Sequence, residues 1–265
     1  MKHFLLMAFF LASMNVLAAD PVIVAHRMGA GERDENTLEA LKECASLGLK
    51  FFETDIHITK DDQLIVTHDG NLQRRCGADV NVEEMTLEEI RKYKTKEGNP
   101  LPTLKELLAF LKDKGIAMQL EVKAPPTLGR LKKLVEVMVK ELKEAEFTGD
   151  DLLVISFCPD ALRLTREAED SIKTGLLCGG SDEKNIQTAK ENGCSWISAE
   201  LLTTTRSFAD KAHKEGFKLA LWTIGRTGTL FWPKIWKATL SSRTFRKSTL
   251  RSKKTATCIL KAVFI

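Results

Sequence analysis

From Val22 onward the chain alternates between short β-branched or apolar runs and longer stretches in which apolar residues recur every three or four positions. The runs are Val22–His26, Phe51–Ile58, Leu64–His68, Ala117–Lys123, Leu152–Phe157, Ile172–Leu177, Trp196–Ala199 and Lys218–Ile224. The longer stretches include Asn36–Leu47, Thr103–Lys114, Leu128–Ala145, Glu183–Asn192 and Thr204–Glu215. Strands separated by amphipathic helices predict an α/β fold, a parallel sheet wrapped by helices.

Two runs break the alternation. Only Thr59–Gln63 separates Phe51–Ile58 from Leu64–His68, too short for a crossover, so the pair predicts a hairpin. Its return strand carries His68 and Asp69 back toward Glu53. A less regular segment follows, about 71–100, with the charged helix candidate Leu87–Tyr93, and reads as a small insertion over one end of the sheet. With the hairpin counted once, seven barrel strands are spent by Ile224. A TIM-type (β/α)8 barrel needs eight. Beyond Gly225 the helical period is lost, so the eighth strand is expected to be missing or garbled, with apolar Cys258–Ile265 as a possible substitute.

Charge sharpens this division. The 265 residues carry a formal +4, yet residues 226–265 hold ten Lys or Arg and no acidic residue, leaving 30 basic against 36 acidic residues before them. The body is acidic, and no nucleic-acid partner is expected. Lys2 and His3 precede an apolar run, Phe4–Leu17, that closes on Ala18 and Ala19. This predicts a cleaved signal peptide over 1–19, export to the periplasm or medium, and no stable membrane anchor. The expected organisation is therefore signal 1–19, catalytic barrel 20–225 and atypical basic tail 226–265. Six widely spaced cysteines contain no C-x-x-C pair and suit buried small hydrophobes. The sequence names no oligomeric state.

Glu53 and Asp55 are two apart on a strand, so their carboxylates share a face, and Glu121 and Lys123 repeat the spacing on a later one. Three carboxylates meeting at a barrel mouth repel unless protonated or bridged, and an all-oxygen set favours Mg²⁺ or Ca²⁺. His26-Arg27 and His68-Asp69 end strands at the side where barrel active sites form. Two imidazoles there suit an acid–base pair, and Arg27 and Lys123 suit a phosphoryl group. His57 is placed past the rim without a catalytic part, and His213 on a solvated helix face. Phe157 and Trp222, near the ends of their strands, can wall the pocket.

His26-Arg27, Glu35-Asn36-Thr37, Glu53-Thr54-Asp55, His68-Asp69-Gly70, Pro102-Thr103-Leu104, Glu121-Val122-Lys123 and Trp222-Thr223-Ile224 follow in an order and spacing that resemble the glycerophosphodiester phosphodiesterase family. The resemblance covers about residues 21–225. It implies a distorted barrel and hydrolysis of small glycerophosphodiesters to glycerol 3-phosphate and an alcohol. It also implies one divalent cation held by Glu53, Asp55 and Glu121, His26 and His68 as acid and base, and Arg27 and Lys123 on the phosphate. A related barrel phospholipase, or an inactive truncated member, is the alternative. The family's closing helix, Gly-rich turn and Thr-Asp strand are not found after Ile224. An acid-free, Ser/Thr/Lys/Arg-rich sequence starting at Arg226 is what a shifted reading frame near codon 225 gives.

Overall fold

A computed structural model describes residues 22–29, 34–112, 114–224 and 260–264. The signal segment 1–19 and most of the basic tail, 226–259, lie outside the described residues. The first half runs β1 (Val22–Ala25), α1 (Leu38–Ser46), β2 (Phe51–Ile58), β3 (Leu64–Val66), α2 (Gln73–Cys76), α3 (Leu87–Ile90), α4 (Leu104–Leu111) and β4 (Ala117–Val122). The second half runs α5 (Leu128–Glu144), β5 (Leu152–Ser156), α6 (Pro159–Ala168), β6 (Lys173–Cys178), α7 (Glu183–Glu191), β7 (Trp196–Glu200), α8 (Arg206–Lys214), β8 (Lys218–Ile224) and β9 (Leu260–Phe264).

Seven strands, β1, β2 and β4 to β8, run parallel around a TIM-type barrel. β3 folds back on β2 as the expected hairpin, with Ile56 opposite Val66. The eighth stave differs from its neighbours in sense. β9 lies antiparallel between β1 and β8, with Leu260 opposite both Ala25 and Ile224. An apolar run carries no signal for strand direction, so the sequence could offer the strand but not its polarity.

The helices begin where side-chain caps allow. Thr37, Thr103, Thr127 and Thr205 each accept a hydrogen bond from a backbone N–H of the first turn, and Thr103 forms a reciprocal box with Glu106. Helix α6 is not among those the periodicity singles out; Pro159 stands in its first turn, where a missing N–H costs nothing.

Burial divides into layers. Leu41, Phe52, Ile56, Leu107, Leu108, Leu134 and Met138 join the barrel wall to its helices. Val24, Leu153, Ile155, Leu177, Trp196 and Ala220 fill the barrel itself. Gly175 leaves room for Trp196: a Cβ there would stand 2.9 Å from the Trp196 Cβ and 3.2 Å from Ile155 Cγ2. The insertion has its own core of Ile65, Leu72, Val82, Ile90 and Leu101. Among the described residues, no cysteine pair forms a disulfide and no helix is long and apolar enough to cross a membrane.

Candidate active site

On β2, Phe52 and Ile56 pack against the helices, which turns Glu53 and Asp55 toward the barrel axis. The β2–β4 register then sets Asp55 directly opposite Glu121. Glu53, Asp55 and Glu121 each offer a carboxylate oxygen, all within 4.8 Å of one another, and all three residues are buried. Lys123 lies in the same cluster, its Nζ 3.0 Å from Asp55 Oδ1 and 2.5 Å from Glu121 Oε1. Burial pulls the Lys123 ammonium down, but the Asp55 and Glu121 carboxylates outweigh it and hold the group above its usual range. Three buried carboxylate oxygens within 4.8 Å of one another make an all-oxygen donor set that fits a hard divalent cation.

Two backbone irregularities orient the carboxylates. Arg27 adopts a left-handed conformation (φ +49°), and its N–H donates to Glu53 Oε2 at 2.8 Å. Asn36, also left-handed (φ +53°), donates from Nδ2 to Asp55 Oδ2 at 2.9 Å and accepts from the Thr54 hydroxyl at 2.9 Å. Asparagine tolerates this region better than most residues. The Arg27 carbonyl accepts from Asn36 N–H at 2.8 Å, closing the loop between them.

The two predicted histidines reach the same place from different strands. His26 Nε2 is 3.8 Å from Glu53 Oε2. His68 follows β3, and its Nδ1 donates to Asp69 Oδ1 at 2.6 Å. Burial raises the Asp69 carboxyl, but bonds from His68 and Arg74 outweigh it and hold the group below its usual range. An ionised carboxylate only accepts, so His68 Nδ1 carries the proton of this bond. His57 is buried beneath this pair. Its Nε2 donates to the His68 carbonyl at 3.2 Å and its Nδ1 lies 3.2 Å from Glu83 Oε1, so it supports the His68 backbone.

A family model, the glycerophosphoryl diester phosphodiesterase family, matches residues 26–239. The chain belongs to that family. A glycerophosphodiester phosphodiesterase of Caldanaerobacter subterraneus subsp. tengcongensis is 28% identical over 214 residues, 77% of this chain and 86% of the relative. The fold is shared with a solved Oleispira antarctica phosphodiesterase in complex with the product sn-glycerol-3-phosphate, at TM-score 0.73 and 22% identity, over 80% of this chain and 89% of that one. It is also shared with a solved glycerophosphodiester phosphodiesterase from Parabacteroides distasonis, at TM-score 0.69 and 22% identity, over 80% and 87% of the two chains. Phosphodiester hydrolysis is the chemistry of this enzyme family, and the match continues past Arg226.

In this glycerophosphodiester phosphodiesterase barrel the remaining expected residues take these places. Arg27 points Nη1 at Glu35, at 3.2 Å from Oε2, while its buried Nε has no hydrogen-bond partner among the described residues. Phe157 and Trp222 meet edge to face with ring centroids 5.7 Å apart, and Trp222 Nε1 donates to the Ser198 carbonyl at 3.0 Å. Phe157 is 53% exposed. His213 lies in the last turn of α8. Sequence reasoning missed Asn36, Glu35 and Arg74 as site residues. The first two stand in a motif read only as a helix start, and Arg74 lies in an irregular segment where no period marks a site.

Proposed function

We propose that this chain hydrolyses glycerophosphodiesters to glycerol 3-phosphate and an alcohol, with one divalent cation, Ca²⁺ or Mg²⁺, held by Glu53, Asp55 and Glu121. The observation that carries the reading is the meeting of three buried carboxylates from β2 and β4, with His26 beside one of them. When bound, the cation supplies Lewis-acid polarisation of a substrate hydroxyl and a phosphoryl oxygen.

Arg27 binds the phosphoryl group through its Nε, a desolvated donor with no partner among the described residues, aimed by the Glu35 contact. Lys123 donates to a second phosphoryl oxygen from its place beside the carboxylates. His26 and His68 form the acid–base pair. One imidazole takes the proton of the glycerol hydroxyl as its oxygen attacks phosphorus, and the other protonates the departing alcohol oxygen. A water then opens the cyclic phosphate by the reverse transfers, leaving glycerol 3-phosphate. Phe157 and Trp222 wall the side of the pocket where the alcohol lies.

The test follows glycerol 3-phosphate release from glycerophosphocholine and glycerophosphoethanolamine, with and without EDTA and with Ca²⁺ or Mg²⁺ added back. Release that is abolished by chelation and restored by one ion is expected. No release, or release indifferent to EDTA, sinks the reading, and faster turnover of intact phospholipid moves it to the barrel phospholipases. The same reading places the enzyme outside the cytoplasm, supported by the Lys2-His3 start and the apolar run to Leu17. N-terminal sequencing of the mature protein is expected to begin at Asp20. The acid-free run from Arg226 is the ground for a frameshift near codon 225, and the family match reaching residue 239 weighs against it; a neighbouring frame that yields no acidic helix and apolar strand overturns it.

A further inference from the structure

Outside the residues assigned above, one side chain touches both halves of the site at one remove. Arg74, on α2 in the insertion, donates from Nε to Asp69 Oδ2 at 2.5 Å and from Nη2 to Glu35 Oε1. Asp69 uses its other oxygen on His68 Nδ1. Glu35 accepts from Arg27 Nη1 through its other oxygen, Oε2, at 3.2 Å and through Oε1 at 3.4 Å. The result is an unbroken chain, His68–Asp69–Arg74–Glu35–Arg27, from an imidazole of the acid–base pair to the guanidinium assigned to the phosphate.

We propose that Arg74 is a positioning residue that fixes the His68 ring and the Arg27 guanidinium relative to each other by clamping Asp69 and Glu35. The proposal rests on the hydrolase reading for its kinetic consequences and on geometry for the clamp itself. An exposed ion pair is worth little, and Arg74 is half exposed. Its two carboxylates are not: Glu35 and Asp69 are 15% and 29% exposed, and each is already committed to a site group. A guanidinium sends N–H groups in fixed, coplanar directions, so one Arg holds two acceptors at a set separation; a flexible ammonium does not. The base of the clamp is braced independently. Neighbouring Arg75 is buried and donates to Asp34 Oδ1 at 3.0 Å, while Asp34 Oδ2 accepts from Asn99 at 2.8 Å and from Thr95. Asp34 directly precedes Glu35, so α2 and the loop that carries Glu35 are tied together twice.

The two arms predict separable effects. Arg74→Ala is expected to lower kcat about tenfold to a hundredfold through a misplaced His68, and to raise KM through a loosened Arg27. In an Asp69→Asn background the same change should act on KM alone, and in a Glu35→Gln background on kcat alone. Arg74→Lys, which can reach one carboxylate at a time, should recover only part of the loss. The readout that needs no turnover is the ¹⁵N spectrum of the His68 ring. In the wild-type protein Nδ1 should be the protonated nitrogen, and in Arg74→Ala the ring should shift toward a mixture of tautomers. An Arg74→Ala protein with the wild-type His68 spectrum overturns the clamp, whether or not the wild type hydrolyses any glycerophosphodiester. Active wild type with unchanged kcat and KM in Arg74→Ala overturns it as well, whereas an inactive wild type with a shifted His68 ring leaves the clamp standing and removes the hydrolase reading.

Discussion

At the scale of single residues, the site depends on side chains whose partners are other side chains of the site. Asn36 is the clearest case, because one amide satisfies both Thr54 and a carboxylate of the proposed cation site. Asn36→Ala leaves two buried polar groups without that partner. The variant should lose about 1–3 kcal/mol of stability and about tenfold to a hundredfold in cation affinity, read by urea denaturation and by calorimetric titration with Ca²⁺ or Mg²⁺. Glu53→Gln should abolish cation-dependent turnover, and His26→Ala and His68→Ala should each lower kcat by about 10²–10⁴; near-wild-type rates in any of them would remove that residue from its role. The Arg74 cluster also has a pH signature. Burial raises Glu35 and Asp69, but their partners outweigh it and hold both below the usual carboxylate range. A depressed carboxyl stabilises the fold fully above its unfolded pKa, and that contribution disappears as pH falls through the folded value. The stability gap between wild type and Arg74→Ala should therefore be full at neutral pH and shrink below about pH 4, measured by denaturant titration at several pH values.

At the scale of elements, β2 does most of the positioning, because one strand carries two carboxylates on its inner face and helix-facing Phe52 and Ile56 on its outer face. The hairpin then delivers His68 to the same end without any crossover: Thr67 N–H donates to the Asp55 carbonyl at 3.1 Å, so the return strand is still in register where the site begins. On the far side of the barrel, β6 passes Trp196 only because position 175 has no side chain. Gly175→Ala drives a methyl into Trp196 and Ile155 and should cost about 1–3 kcal/mol, seen as a lower Tm with the site residues untouched. The sequence marked the helices by their apolar period, while threonine caps set where they start, as at Thr103 with Glu106. Helix α6 escaped because its apolar face is narrow, with Ala161, Leu162 and Thr165 as its buried residues.

At the scale of the whole molecule, the barrel closes through a strand of opposite sense. β9 occupies the gap between β1 and β8 and pairs with both. Removing residues 226–265 deletes that strand and exposes the β1 and β8 edges, so the truncated chain should aggregate where the full chain stays dispersed; size-exclusion chromatography distinguishes the two. The strand–helix alternation, the hairpin and the paired Glu53 and Asp55 were all legible in the chain, because each follows from a local period or a loop too short for any other connection. The gathering of Glu53, Asp55 and Glu121 was expected from strand spacing and the family resemblance, and the structure brings them together. Two contacts were not legible, the reach of Asn36 to Asp55 and the Arg74 bridge. Each joins residues brought together by strand register or by a loop conformation, and neither leaves a mark at fixed sequence spacing. Residue type and periodicity thus determined which chemistry this chain carries and on which strands. Tertiary structure alone decided which groups touch, because contact depends on how the sheet curves and where its edges meet.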